Sequence, residues 1–388
     1  MYKFGGKKLR VCHDAFRDPS IKRVFQNTRF ILLQHLLTDT EEFVESMLAA
    51  KLEIHGLVAK PYSIDLEVKK RIAKHDFTFI HESYETLEGT EILDDLIFSA
   101  LELSREDKKT ILIVDVGGYF LQPLLRISHE AKNYIMGVVE VTKFGHNRYQ
   151  EKIDDLNYPV ISIAESPIKT LEGRFVGMSA VTALDKILRD FGLSISGRRA
   201  MVIGFGLIGK SVAAALRQRN LPVKVYDKNG FPRAEAFTLG YLVGDKEELL
   251  SRADLILSST ATRAISYDDL LLCKNGCIVG SVGSKQNEID VDSLNRKAKK
   301  KEIHKYITEY KMPNGNILYL LKNGEAINFL VQSCPDEIID LIFAETIYCW
   351  KHLVEEPVFF PKGILHKTPE NTTHDIAEMW LNLVGVHS

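Results

Sequence analysis

One stretch limits the folds open to this chain more than any other: residues 201–227, MVIGFGLIGKSVAAALRQRNLPVKVYD. The apolar run Ala200-Met201-Val202-Ile203 reads as a buried strand. Gly204-Phe205-Gly206-Leu207-Ile208-Gly209 follows, then a helical pattern over 210–219, then a second apolar strand, Val223-Lys224-Val225-Tyr226, ending on Asp227. Strand, glycine turn, helix, strand and acid in that order form the dinucleotide-binding fingerprint in the context it needs. Gly204 permits a tight turn, Gly206 lets backbone approach a pyrophosphate, and Gly209 lets helix and strand pack closely. Leu207 and Ile208 open the helix, whose N-terminus offers N–H groups and the positive end of its dipole to a phosphate. Asp227 follows Gly209 by 18 residues, where a carboxylate accepts hydrogen bonds from a ribose diol and repels a 2′-phosphate. NAD is therefore expected over NADP, with Lys228 softening the preference. The alternative is a tight turn in an α/β domain that holds no nucleotide.

Composition sets the frame around this unit. A chain of 388 residues, 45% apolar and 26% charged, suggests two or three globular domains with ample core. Its 50 basic and 52 acidic residues nearly cancel, so nothing in the charge argues for nucleic acid. The run Lys297-Ala298-Lys299-Lys300-Lys301 reads as a solvated helix end. No apolar stretch is long enough to span a membrane, and the N-terminus lacks the apolar core of a signal peptide. Five cysteines, an odd number with no CxxC pair, point to a reducing, cytoplasmic setting. Cys273 and Cys277 have no neighbouring ligands, so no metal site is expected.

In order along the chain, residues 1–27 are polar with turn signals at Gly5-Gly6 and Asp18-Pro19, and read as a weakly structured lead. Apolar strands then alternate with amphipathic helices: strands near 30–33, 54–58, 77–80, 110–115, 134–141 and 160–163, helices near 39–51, 65–74, 91–103 and 121–130. That alternation predicts a parallel sheet covered on both faces. The break falls after Lys169, with a helix over 176–191 leading to the fingerprint. Further strands are expected near 240–243, 255–257, 277–279 and 325–329. A long helix over 336–353 then leaves the nucleotide domain, and a last one covers 374–383. The expected architecture is α/β, two doubly wound parallel-sheet domains, the second a Rossmann NAD-binding domain inserted into the first. Its bounds are 1–175 completed by 336–388, and 176–335.

On these residues the chain resembles the S-adenosylhomocysteine hydrolases, NAD-dependent enzymes with the same domain order. The likeness is low in identity but collinear from about residue 29 to 361. Gly204–Gly209 with Asp227 carries it most strongly. Ser284-Lys285-Gln286-Asn287-Glu288-Ile289-Asp290-Val291 is similar to the family's G-H-F-x-x-E-I-D-V stretch, and Ile327-Asn328 also matches. Gly137-Val138-Val139-Glu140 with Gly145 is similar to its E-E-T-T-T-G segment, and Ser166-Pro167-Ile168-Lys169 with Gly177 to S-V-T-K…Y-G. His35 stands at the L-H-M-T histidine. In that family bound NAD oxidises a ribose 3′-hydroxyl, the ketone acidifies the neighbouring C–H, homocysteine is eliminated, water adds, and the ketone is reduced again.

The resemblance implies cofactor contacts at Gly204, Gly206, Leu207, Ile208, Gly209, Asp227, Thr142, Thr260, Ser284 and Asn328. It implies catalytic roles for Lys169 and His35, with Cys334 a replacement proton carrier, and substrate-lining roles for Asp115, Glu140 and the displaced Glu172. A homo-oligomer, dimer or tetramer, and a small-molecule substrate are implied too. The departures are equally specific. The family's aspartate four residues after the lysine is Gly173 here, its asparagine Arg174, and its two histidines are Ser284 and Cys334. Groups that hold NAD survive, whereas those that read adenosine and expel homocysteine have gone. Hydrolysis of S-adenosylhomocysteine is therefore not expected. Three readings stay open: an NAD-dependent enzyme oxidising a hydroxyl on a sugar- or nucleoside-like substrate, a catalytically silent NAD-binding paralogue, and a 2-hydroxyacid dehydrogenase using Arg263. The last lacks a histidine between His146 and His304 to partner that arginine.

Overall fold

The computed structural model describes residues 8–127, 133–260, 262–283 and 288–385. The chain divides into two compact units, Met1–Lys169 with Asp336–Ser388, and Thr170–Pro335. Residues 170–175 thus group with the second unit.

The first unit is built on a sheet of seven strands: β1 (Thr28–Leu36), β2 (Glu53–Ile64), β3 (Thr78–Ile80), β4 (Thr110–Asp115), β5 (Ile135–Glu140), β6 (Val160–Ser162) and β15 (Leu365–Lys367). Their order is β15-β6-β5-β4-β1-β2-β3, and every pairing is parallel. Parallel strands covered on both faces read as continuous apolar runs, as β1 and β4 do, and both are buried almost throughout. Under them lies the long helix Asp336–Glu355, whose Trp350 is fully buried, packs 4.8 Å from Phe30 and donates its Nε1–H to the Ile113 carbonyl at 3.3 Å. The chain leaves β1 toward β2 and β3 on one side and toward β4 on the other. That reversal puts a crevice at the carboxyl ends of β1 and β4, the place where open α/β sheets bind ligands.

The second unit has eight strands: β7 (Ala200–Ile203), β8 (Val223–Tyr226), β9 (Leu242–Val243), β10 (Leu255–Ser258), β11 (Cys277–Ser281), β12 (Lys299–His304), β13 (Ile307–Lys311) and β14 (Ile317–Leu321). The order β12-β13-β14-β11-β10-β7-β8-β9 is that of a Rossmann sheet, with its reversal between β7 and β10. The helix Pro167–Asp190, 24 residues long, carries Gly173 and Gly177 against the fingerprint helix Leu207–Gln218. A Cβ on Gly177 would fall 2.6 Å from the Val212 backbone nitrogen, so these two helices approach at backbone distance.

Five expectations are corrected. The N-terminal lead is two helices, Arg10–Arg17 and Pro19–Phe25, which bury Val11, Cys12, Ala15, Phe16, Ile21 and Phe25. Their apolar residues follow a helical spacing that the surrounding charge conceals. The helix expected over 176–191 begins at Pro167. The strand expected near 325–329 is a 3-10 turn, Ile327–Leu330, and β14 takes its place beside β11. The lysine run ends the helix Val291–Lys297 only in part, since Lys299, Lys300 and Lys301 open β12, an antiparallel edge strand. The helix expected over 121–130 spans Leu121–Arg126, and residues 128–132 lie outside the described ones.

Candidate active site

The cofactor cradle of the second unit follows from its glycines. Gly204 has φ +91°, and a Cβ there would stand 2.8 Å from the Ser259 carbonyl. At Gly209 a Cβ would fall 1.9 Å from the Gly204 carbonyl oxygen, so strand end and helix start touch through this residue. Gly206 is the opposite case. It caps the helix Leu207–Gln218, and a Cβ on it would meet nothing within 4 Å. The first intrahelical bond runs from Lys210 N–H to the Gly206 carbonyl at 2.9 Å, so the amides of Leu207, Ile208 and Gly209 have no acceptor inside the helix. The open space at Gly206, at the start of the same helix, suits a pyrophosphate.

Asp227, half-buried at the end of β8, ties this loop to the second strand. One carboxylate oxygen accepts from Phe205 N–H at 2.9 Å and the other from Asn229 N–H at 2.9 Å. Each oxygen keeps a second lone pair for a ribose hydroxyl. Two further buried atoms, Ser259 Oγ and Asn328 Oδ1, have no hydrogen-bond partner, while Asn328 Nδ2 donates to Ser333 Oγ at 2.6 Å. Unsatisfied buried polar atoms are rare in finished sites and are met by a bound polar group. The residues present fit NAD on these grounds.

Thr260, expected at the cofactor, is held by Glu288. Its N–H donates to Glu288 Oε1 at 2.7 Å and its hydroxyl lies 2.8 Å from Glu288 Oε2. Glu288 is fully buried and also accepts from the Ser258 hydroxyl. The carboxylate pins the loop after β10, and Thr260 shapes the wall through it. Ser284 lies outside the described residues. Cys334 is buried, 4% exposed, in a turn where its carbonyl accepts from Gln332 Nε2 at 3.2 Å.

In the first unit the carboxyl ends of β1 and β2 gather a polar cluster. His35 Nδ1 pairs with the Ser63 hydroxyl, and its ring meets Tyr62 edge-on at 5.5 Å. Lys60 is 1% exposed, with its ammonium 5.2 Å from the Tyr62 ring centre and 5.4 Å from that of Tyr119. Burial, then the charges of Lys60 and Lys169, hold His35 well below the usual imidazole range. It is neutral at physiological pH and exchanges hydrogen bonds without carrying charge. Lys169 is half-buried in the first turn of the helix Pro167–Asp190. Its N–H donates to Ser166 Oγ at 3.2 Å, and Ser166 donates to Glu345 Oε2 at 2.9 Å. Glu172 lies one turn further along the same helix, half-buried, in the second unit.

Asp115 and Glu140, expected to line the substrate, are held inside the fold. Both are fully buried. Asp115 accepts from the N–H groups of Tyr119 at 3.1 Å and Phe120 at 2.9 Å and from the Tyr149 hydroxyl at 2.9 Å. Glu140 accepts from Gly118 N–H at 2.9 Å and from Thr142 through its N–H at 2.6 Å and hydroxyl at 2.7 Å. Thr142 in turn caps the helix Lys143–Lys152 by accepting from Gly145 N–H at 3.0 Å. A Cβ on Gly145 would fall 2.2 Å from Glu140, so the glycine exists to admit that carboxylate. The two acids hold the Gly117-Gly118 turn in shape; burial and, for Glu140, the neighbouring Asp115 push both upward.

Lys60 and Glu345 escaped the sequence reading although each leaves a signal. A lysine inside the buried strand run GLVAKPYS, and a glutamate inside the apolar helix run LIFAETIYCW, both oppose their surroundings.

Residues 178–334 match the family model described as S-adenosyl-L-homocysteine hydrolase, NAD binding domain. The adenosylhomocysteinase of Saccharolobus solfataricus is 30% identical over 257 residues, 65% of this chain and 61% of that protein, less than two thirds of its length. That of Sulfolobus acidocaldarius is 26% identical over 361 residues, 91% of this chain and 83% of the relative. That of Nostoc sp. is 23% identical over 385 residues, 98% and 88% of the two chains.

Proposed function

We propose, from the premise that this chain is an S-adenosylhomocysteine hydrolase-like protein carrying that family's NAD-binding domain, that it oxidises a hydroxyl on a sugar- or nucleoside-like small molecule and does not hydrolyse S-adenosylhomocysteine. The observation that carries this reading is an intact cofactor cradle beside an altered set of acid–base residues. Gly206 opens onto empty space and Gly209 closes the turn, whereas Gly173 stands where the relatives are expected to hold an aspartate. A Cβ at Gly173 would lie 2.4 Å from Leu207 Cγ, so a side chain there meets the start of the fingerprint helix.

NAD, when bound, supplies a hydride acceptor. The chain's own part is proton handling at the carbinol. Lys169 takes the hydroxyl proton, and its resulting ammonium sits in the first turn of a helix whose N-terminus Ser166 anchors. His35, held neutral, orients a substrate hydroxyl. Lys169→Met keeps the stem and removes the amine. It should leave NAD affinity unchanged and slow reduction of bound NAD by at least about 10²-fold, the lower end for loss of a general base. A panel of polyols and nucleosides, followed by NADH absorbance, supplies the assay. Turnover equal to the unmodified protein's would return Lys169 to a structural role.

The negative half is tested with S-adenosylhomocysteine itself. Elimination and hydration need groups that titrate near neutral pH. Serine and glycine supply none, and Cys334 is buried. No thiol release is expected with NAD saturating, and turnover near 10 s⁻¹, the order of a typical enzyme, would overturn the reading. For the cofactor, Asp227→Ala should weaken NAD by about 1.5–3 kcal/mol, the worth of a hydrogen bond to a charged group. Tighter binding of NADP than NAD by the unmodified protein would sink that assignment.

A second reading, a silent NAD-binding paralogue acting through a partner, is favoured by the engagement of Asp115 and Glu140 inside the fold. It expects no reduction of bound NAD by any member of the panel.

A further inference from the structure

Among the described residues five carboxylates are completely buried: Asp115, Glu140, Glu288, Asp340 and Glu345. Four of them accept backbone N–H groups, from Tyr119 and Phe120, from Gly117, Gly118 and Thr142, from Thr260, and from Val11 and Cys12. A backbone N–H only donates, so each of these acids holds at least one donor that cannot turn to receive a proton, alongside the hydroxyls of Tyr149 on Asp115, Thr142 on Glu140, and Ser258 and Thr260 on Glu288. Glu345 is built differently. Its donors are two hydroxyls, Ser166 at 2.9 Å on Oε2 and Thr368 at 2.6 Å on Oε1. A hydroxyl both donates and accepts, so Thr368 can turn and receive a proton carried on Oε1. Glu345 can therefore change its charge in place without leaving a buried group unpaired.

Ser166 joins this acid to Lys169. The hydroxyl that donates to Glu345 accepts the Lys169 N–H at 3.2 Å, inside the first turn of the helix Pro167–Asp190. We propose that Glu345 is the positioning residue of Lys169: through Ser166 it fixes the turn that carries the lysine, and its carboxylate offsets the ammonium formed when Lys169 takes up a substrate proton. This rests on the proposed oxidation, in which the carbinol O–H proton goes to the Lys169 amine and the C–H leaves with its electron pair to NAD, giving ketone and NADH. Glu345 gains and loses no atom in that step. Of the titratable groups around it, Lys169 acts on its charge, and Cys349, one turn along its own helix, feels the charge of Glu345. Burial pushes Glu345 up to about 7, and the two hydroxyls and the Lys169 charge hold it from rising further. A buried acid that titrates near neutrality beside a lysine at a sheet's carboxyl edge is the pattern of a working site.

The test follows Glu345 itself and then the reaction. Infrared pH-difference spectra of the full-length protein, compared with Glu345→Gln, isolate the band of the protonated Glu345 carboxyl and its midpoint. In Lys169→Met the cation is gone, and the midpoint should move to higher pH. If Glu345→Gln does not fold, Thr368→Val assigns the same band by removing one of its two donors. A midpoint identical in the unmodified protein and Lys169→Met overturns the pairing. In the reaction, Glu345→Gln should lower kcat for NAD reduction by about 10- to 10²-fold, the cost of a misplaced reacting group, with KM unchanged and the limb of the pH profile near neutrality lost. An unchanged profile overturns the positioning role. Should nothing in the substrate panel reduce bound NAD, the oxidation falls, while the infrared arm still decides whether Glu345 and Lys169 are coupled.

Discussion

Alanine at Gly206 should leave the melting temperature where it is and remove most of the NAD affinity, whereas alanine at Gly209 should destabilise the cofactor unit before any ligand is added. The two glycines lie three residues apart and face opposite surroundings. Gly206 has φ −75° and ψ −166°, an extended conformation that alanine adopts freely, and its Cβ would enter space empty to 4 Å. That space is where a pyrophosphate would sit against the helix amides. A methyl group there displaces the phosphate from two or more charge-assisted hydrogen bonds worth roughly 1.5–3 kcal/mol each, so Kd should rise about 100-fold or more. At Gly209 the added carbon would lie 1.9 Å from the Gly204 carbonyl oxygen and 2.9 Å from Ser259 Oγ. Backbone must move to admit it, which places the cost at or above the upper end of about 1–3 kcal/mol for overpacking. At roughly 2–4 °C per kcal/mol for domains of this size, the unit should melt about 5–10 °C lower. Calorimetric NAD titrations and thermal melts on both variants decide the matter. Equal loss of stability in the two would show that the open face of Gly206 is not open.

The other large effect is expected far from the fingerprint. The helix Arg10–Arg17 has no side-chain cap of its own, because Leu9 stands at its N-cap. Asp340, in the helix Asp336–Glu355, supplies the cap: its two carboxylate oxygens accept Val11 N–H at 2.8 Å and Cys12 N–H at 3.0 Å, both buried. Asp340→Ala leaves two buried donors unsatisfied at about 1–3 kcal/mol each, so the first unit should lose about 2–5 kcal/mol. Asp340→Asn keeps one acceptor oxygen and should lose roughly half of that. Trypsin reports the local consequence, since Arg10 and Arg17 should become rapidly cleaved in the alanine variant and stay protected in the unmodified protein. Protection unchanged in Asp340→Ala would mean that apolar packing of Phe16 and Ile21 alone holds the segment.

That helix also shows where a linear reading stops. The fingerprint was legible because each of its parts (strand, turn, helix, acid) lies within 27 residues and reports on its neighbours. The cap of the first helix lies more than 300 residues from the amides it satisfies, and no local pattern encodes it. The bonding of Asp115 and Glu140 was hidden for a related reason. A carboxylate beside a glycine pair reads the same whether it faces a ligand or folds back on the turn, and only its complete burial and its backbone donors separate the two. The strand β12 was missed where charge overrode the strand pattern, since Lys299, Lys300 and Lys301 look like a helix tail. Lys60 and Glu345, by contrast, stood in plain view as charges inside apolar runs. What the sequence lacked was the strand order, which sets Lys60 at the end of β2 beside β1 and brings the segments after β6 and β15 to Glu345.

The same three lysines bear on how this protein behaves in crowded solution. β12 is the outer strand of its sheet, and Lys299, Lys300 and Lys301 are exposed along it. An outer strand carries a row of backbone groups able to recruit another chain, and adjacent like charges oppose the approach of a second such edge. The protection is electrostatic and not steric, so its reach is the Debye length, about 8 Å at physiological ionic strength and about 3 Å at 1 M salt. Colloidal stability of this protein should therefore be a property of the buffer as much as of the fold, with concentrated salt or acylation of those amines uncovering an adhesive seam that dilute buffer conceals.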